Sequence, residues 1–198
     1  MASSTGETTG TRDAGIWTLP NLFTLLRLLT LPVFVYLLFA SQNRVAAALM
    51  LGALSATDWV DGFLARLLDQ RSEFGAKFDP TVDRVVFIVA VIAILIDGSM
   101  PLWFGVALLA REVVVGGTIA IATLVFGMQR FDVTFLGKTA TMLLMFAVPA
   151  FLLGASAISS AAVFTALAWL LGLPGLMLSY VTGVGYVPKI RAGLASAT

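Results

Sequence analysis

The sequence predicts an all-α fold: a polytopic membrane protein of six transmembrane helices, with an N-terminal segment able to lie as an interfacial helix. Three observations carry this. Of the 198 residues, 59% are hydrophobic and only 12% charged, about half the roughly 25% usual for soluble domains. Uncharged runs recur along the whole chain, at 28–43, 45–57, 85–96, 98–110, 113–129 and 139–188. The cations that interrupt them are unevenly divided between the alternate ends of these runs. A chain of this length is normally one domain.

Taken in order, "MASSTGETTGTRDAG" at 1–15 is polar and small, with no apolar core. It reads as a disordered cytoplasmic tail and not as a signal peptide. "IWTLPNLFTLLRLL" at 16–29 opens with Trp17, suited to headgroup level, and Pro20, well placed in a first helical turn. It is either an interfacial helix or the plain start of the first span. A spanning helix needs about 20 residues. The fifty-residue run at 139–188 is long enough for two, punctuated by Pro149, "GASAISS" and Pro174. Each shorter run spans only if flanking charged residues enter the membrane with it. The resulting spans are 20–41, 45–68, 77–97, 101–126, 138–154 and 160–183, making a membrane domain of 16–187 and a short cytoplasmic tail at 188–198.

This layout puts Arg12, Arg66, Arg71, Lys77, Arg84, Arg130, Lys138, Lys189 and Arg191 on one side and Arg44 alone on the other. The positive-inside rule then makes both termini cytoplasmic in a cell-membrane protein. Arg27, Asp58, Asp61, Asp79, Asp83, Arg84 and Arg111 fall inside spans near one end. Lipid-facing charge is disfavoured, so they face the bundle interior or a watery cavity open to the cytoplasm.

Absences narrow the chemistry. Net charge is +1, which argues against a nucleic-acid partner. There is no cysteine and no histidine. That excludes disulfides and thiol nucleophiles, and leaves oxygen ligands, hence Mg²⁺, Mn²⁺ or Ca²⁺, for any metal.

Asp58 and Asp61 are three residues apart and share one helix face; Asp79 and Asp83, four apart, share another. The connection between the two helices is short, so they run antiparallel as neighbours and the pairs converge. Four bare carboxylates at low dielectric repel. Two bridging divalent cations, Mg²⁺ or Mn²⁺, remove that repulsion and create a clamp for phosphoryl oxygens. The bland alternative is a structural set salt-bridged to Arg66, Lys77 and Arg84. Gly62, Ala65 and Gly75 leave room for a ligand at the backbone, or simply for close helix packing. Arg66 adds a cation for phosphate oxygens.

The stretch 58–83 reads D-x2-D-G-x2-A-R-x8-G-x3-D-x3-D and resembles the complete signature of the CDP-alcohol phosphatidyltransferases. The similarity extends to "PNLFTLLRL", "AREVVVGG" and "GKTATMLLM". It implies six spans, usually in a homodimer, and a cytoplasm-facing site. By this resemblance Asp58, Asp61 and Asp79 bind one metal, and Asp58, Asp79 and Asp83 the other. Asp83 is also the general base, and Gly62, Ala65, Arg66 and Gly75 hold the CDP moiety, with Asn21 and Thr24 as further nucleotide contacts. The implied reaction moves the phosphatidyl group of CDP-diacylglycerol to an alcohol with loss of CMP.

Three acceptors fit: phosphatidylglycerol, glycerol 3-phosphate and an inositol phosphate. Glycerophosphate-using members typically carry Leu-Arg shortly after the "RE" of the fourth span. Here Thr118 and Ile119 stand near that place. A phosphomonoester is a near-dianion that needs several cations, whereas phosphatidylglycerol is a singly charged lipid. Arg84, Arg111 and Lys138 are the acceptor candidates, and phosphatidylglycerol, giving cardiolipin, is the expected acceptor. Lys138 alone also fits a snorkelling edge lysine, and Arg111–Glu112 a buried structural pair. A cation transporter built on buried carboxylates is the alternative of another class. Carboxylates at one membrane end and no visible inverted repeat argue against it.

Overall fold

The computed structural model describes the backbone of residues 19–68, 73–117 and 134–197, and side chains over 25–57, 82–114, 116–117 and 134–185. Among the described residues the regular elements are all helical, with no strand, and are joined by turns. Six α-helices can be followed there, in order: α1 (Leu19–Val35), α2 (Arg44–Leu68), α3 (Glu73–Asp97), α4 (Leu102–Arg111), α5 (Phe135–Gly154) and α6 (Ala161–Ala197). Wider π-turns extend α1 over Tyr36–Ala40 and α4 over Glu112–Gly116.

Short connections at one end are set by local chemistry. α1 carries Pro32 inside it and winds out through the π-turn, where Ser41 N–H bonds Tyr36 O at 3.0 Å. Gln42 takes a left-handed φ of 50°. Asn43 then caps α2, its Oδ1 accepting from Ala46 N–H at 3.0 Å. At the end of α3, Gly98 adopts φ 75°, while Gly98 N–H bonds Leu95 O at 3.1 Å and Ser99 N–H bonds Ile94 O at 3.2 Å. That pairing is a Schellman stop, and glycine is the residue that takes its left-handed position at least cost. Pro101 follows as the N-cap of α4. Thr134 caps α5 through Gly137 N–H at 3.2 Å.

The core joins all six helices through Phe34 and Leu38, Ala47 and Leu51, Val91 and Ile94, Phe104 and Leu108, Leu144 and Phe151, and Ala168. α1 packs on both α2 and α3, and α5 packs along α6 and against α2. Phe104 sits among Phe151 and Trp169 at centroid distances of 5.2 and 5.6 Å, and Trp103 stacks on Trp169 at 5.6 Å. Gly172 admits the Phe104 ring: a Cβ there would lie 2.8 Å from Phe104 Cζ. Tyr180 OH donates to Ala107 O at 2.8 Å, tying α6 to α4.

Among the described residues two helical stretches are long and apolar enough to cross a membrane, Phe135–Gly154 and Ala161–Gly185; Leu25–Ala40 and Arg44–Thr57 are shorter apolar stretches. Leu29, Ile96, Leu102, Phe135, Leu170 and Met177 are exposed, a surface that a water-soluble monomer rarely presents so densely. Boundaries differ from the sequence reading in three places. α3 begins at Glu73 instead of 77. Pro149 and Pro174, expected as punctuation, lie within α5 and α6, so the break is the turn after Gly154 alone. α6 runs on to Ala197, through the residues assigned to a tail. The expected tail at 1–15 lies outside the described residues.

Candidate functional site

One ion pair sets the register of the two aspartate-bearing helices. Arg44, the first residue of α2, donates from Nε to Asp97 Oδ2 at 2.9 Å; Asp97 is the last residue of α3. Arg44 Nη1 also reaches Ala155 O, just past α5, at 3.0 Å, and Ser99 Oγ donates to the same Asp97 carboxylate. The start of α2, the end of α3 and the end of α5 therefore meet at one end of the bundle, and α2 and α3 run antiparallel from there.

The aspartates then fall into level pairs. Asp58 lies fourteen residues after Arg44, and Asp83 fourteen before Asp97. At 1.5 Å per residue both are about 21 Å from that shared end. Asp61 and Asp79, seventeen and eighteen residues away, are about 26 and 27 Å along. The side chains of Asp58, Asp61 and Asp79 lie outside the described residues, as do those of Gly62, Ala65, Arg66 and Gly75. Asn21 and Thr24 belong to the first turns of α1, with side chains likewise outside that description.

Asp83 is described in full. Its carboxylate accepts from Arg27 Nη1 of α1, in an ion pair where the arginine side chain is 8% exposed and the aspartate 45%. Arg27 also turns its own carbonyl to Thr30 Oγ1 at 2.6 Å. So a buried cation is held against one of the four signature aspartates. The sequence offered Arg66, Lys77 and Arg84 as structural partners for these aspartates; among the described side chains Asp83 is paired with Arg27 and Arg84 with Glu112, while Arg66 and Lys77 lie outside that description. The signal for Arg27 was in "PNLFTLLRL", which places an arginine in a span with no acidic residue nearby in sequence.

Arg84 Nε approaches Glu112 Oε1 at 3.4 Å, and its Nη1 donates to Gly116 O at 3.3 Å. Arg111 Nη1 donates to Glu112 Oε2 at 2.6 Å. Glu112 is buried, so two of the three expected acceptor cations converge on one carboxylate at the junction of α4 and its π-turn. Lys138 does not join them: it is exposed in the first turn of α5 and forms no ion pair among the described residues. The sequence flagged Arg111–Glu112 as a pair but missed that Arg84 shares it. Thr118, Ile119 and Arg130 lie outside the described residues.

The donor chemistry suits a hard divalent cation. The signature residues offer carboxylate oxygens only, and the half-exposed Asp83 is accessible to ligand exchange while its depth already accommodates a positive charge. No metal cluster is formed by the described residues, which include Asp83 but not the other three carboxylates.

Comparison with known proteins gives consistent results. A family model described as CDP-alcohol phosphatidyltransferase matches residues 17–174. A protein of Mycobacterium tuberculosis strain H37Rv named "Putative cardiolipin synthase" is 35% identical over 139 residues, 70% of this chain and 66% of that protein. The chain thus spans slightly under two thirds of that relative. "Cardiolipin synthase (CMP-forming)" of Streptomyces coelicolor is 35% identical over 184 residues, 89% of this chain and 84% of the relative. A second protein of M. tuberculosis strain H37Rv, named "Probable phosphatidylglycerophosphate synthase", is 32% identical over 190 residues, covering 93% and 86%.

Proposed function

Because the chain belongs to the CDP-alcohol phosphatidyltransferase family, we propose that it transfers the phosphatidyl group of CDP-diacylglycerol to the free hydroxyl of phosphatidylglycerol, forming cardiolipin and releasing CMP. The observation that supports the reading is the Arg44–Asp97 ion pair, which joins antiparallel α2 and α3 at one end; counted from there, Asp58 and Asp83, and Asp61 and Asp79, stand at matching heights on the two helices.

Asp58, Asp61 and Asp79 are assigned to one divalent cation, Mg²⁺ or Mn²⁺, and Asp58, Asp79 and Asp83 to a second. When bound, such a pair neutralises diphosphate oxygens and polarises phosphorus. Gly62, Ala65 and Gly75 leave space for the cytidine diphosphate, Arg66 supplies a bidentate donor to its phosphates, and Asn21 and Thr24 contact the nucleotide. Asp83 accepts the proton as the acceptor oxygen forms its bond to phosphorus and the bond to CMP breaks. Arg27 holds the Asp83 carboxylate while that proton arrives. Arg84 and Arg111 orient the acceptor phosphate. Six spans in the cell membrane, both termini and the site on the cytoplasmic side, and a homodimer complete the proposal. The cation excess on one side supports the orientation.

The relatives' names divide between cardiolipin synthase and phosphatidylglycerophosphate synthase. The acceptor is argued from charge: Arg84 and Arg111 share one buried carboxylate, which suits a singly charged phosphodiester. The test supplies purified protein with CDP-diacylglycerol, Mg²⁺ or Mn²⁺, and one acceptor per reaction, following CMP and lipid product. Cardiolipin from phosphatidylglycerol, abolished by chelation and restored by Mn²⁺, is the expected result. Turnover with glycerol 3-phosphate alone would overturn the acceptor. Metal-independent turnover would overturn the site, and no CMP release would favour a transporter.

A further inference from the structure

Glu112 has no role in the reaction as written so far, yet at the start of the π-turn that extends α4 it is held by two cations. It is 9% exposed, and it binds guanidiniums from two helices: Arg111 of α4 at 2.6 Å and Arg84 of α3 at 3.4 Å. The backbone is shaped for this arrangement. A Cβ at position 116 would lie 3.2 Å from Arg84 Cζ and 3.3 Å from its Nε and Nη1, so Gly116 leaves room for the guanidinium, which then bonds the Gly116 carbonyl. Arg111 Nε is buried without a hydrogen-bond partner among the described residues.

Among the described side chains of this cluster, two guanidiniums and one carboxylate leave one net positive charge. Each guanidinium carries five N–H donors, and Glu112 has only two oxygens to engage, so donors remain for a ligand. Arg84 follows Asp83 in sequence, so one helix, α3, carries both the proposed base and a member of this cluster. Arg111 and Glu112 are only 15% and 10% exposed, and an unmatched charge beside them is costly. A singly charged phosphodiester would make this site neutral; a doubly charged phosphomonoester would leave a surplus negative charge.

We propose that Glu112 is a positioning residue that sets acceptor selectivity by charge. It holds Arg84 and Arg111 as a half-neutralised pair matched to a phosphodiester headgroup in preference to a phosphomonoester. The inference rests on the proposed reading that this face of the cavity receives the acceptor phosphate.

The test measures kcat and KM for phosphatidylglycerol and glycerol 3-phosphate in wild-type protein, Glu112→Gln, Glu112→Asp and Arg84→Gln. Glu112→Gln raises the net charge by one and should shift the kcat/KM ratio toward glycerol 3-phosphate by about tenfold or more, through KM, a change of the size of one charge-assisted hydrogen bond. Glu112→Asp should keep the wild-type preference. Arg84→Gln removes one positive charge at a side chain that is 38% exposed; it should raise KM for phosphatidylglycerol, by more than Glu112→Asp changes KM for glycerol 3-phosphate. That variant carries the test if Glu112→Gln does not fold. An unchanged ratio in Glu112→Gln, or an equal loss with both acceptors and no change in KM, would overturn the proposal. Wild type separates the two failures. Product from glycerol 3-phosphate alone overturns the acceptor reading, whereas cardiolipin from wild type with an unmoved ratio in the variants overturns only the role of Glu112.

Discussion

Removing Arg44 should loosen the bundle at the end opposite the aspartates and, through the register it sets, slow the reaction about 20 Å away. Arg44→Ala deletes the donors at 2.9 and 3.3 Å to the Asp97 carboxylate and the one at 3.0 Å to Ala155 O. Asp97 stays behind with a side chain only 10% exposed. Breaking a fully buried pair from one side costs about 3–5 kcal/mol, and exposed pairs are worth about 0–1. Arg44 is 38% exposed, and Ser99 remains as a donor to Asp97, so the expected loss is about 2–3 kcal/mol. Unfolding in mixed micelles, followed by the fluorescence of the four tryptophans, measures it. Asp97→Ala in the same background should recover part of the loss, with a coupling of about 1–2 kcal/mol in the double-mutant cycle. Stability of Arg44→Ala within about 0.5 kcal/mol of wild type would refute the clamp. Normal CMP release from a clearly destabilised variant would refute its link to the aspartate register.

Asp83→Asn keeps the size of the side chain but removes the proton acceptor; it should abolish turnover while CDP-diacylglycerol still binds, as judged by ligand-induced thermal stabilisation. Full activity would remove Asp83 from the base role. Gly154→Ala probes the hairpin of α5 and α6: its Cβ would sit 2.4 Å from Thr165 Oγ1 and 2.9 Å from Thr165 N. Backbone cannot yield as a side-chain tip can, so a loss of about 2–3 kcal/mol is expected from overpacking. Unfolding indistinguishable from wild type would mean the two helices separate there at little cost.

Much of the fold was readable because hydrophobic runs and turn residues obey local rules. "DGSMP" at 97–101 is a short stretch with glycine and proline close together, and Gly98 at φ 75° with Pro101 behind it makes the tight connection there. The α2 boundaries, set by Arg44 and the charged end of the helix, were legible for the same reason. Pro149 and Pro174 misled because proline ends an isolated helix, whereas a packed one tolerates it where neighbours or water satisfy the freed carbonyl. Partner choice was the least legible. Which cation faces Asp83 depends on how α1 lies against α3, fifty-six residues away in sequence, and no period or spacing reports that. The Arg84–Glu112 pair, between α3 and the end of α4, was hidden for the same reason.

Those two hidden pairs divide the site. Asp83 and Arg84 are consecutive on α3, so their side chains leave the helix about 100° apart. One meets Arg27 of α1; the other meets Glu112 at the end of α4. A single helix thus carries the proposed base on the face toward α1 and the proposed acceptor cation on the face toward α4. In the proposed reaction the acceptor brings its phosphate and its attacking hydroxyl at separate points of one molecule. Two adjacent residues aimed in different directions from one rigid helix can hold both points at once. Proximity of this kind lowers a barrier only when both ends are fixed before the reaction. The buried partners on each side, Arg27 and Glu112, restrain each end. On this account the two pairs divide the work: disturbing Arg27 should act on the Asp83 end and so on turnover, and disturbing Glu112 on the affinity for the acceptor phosphate.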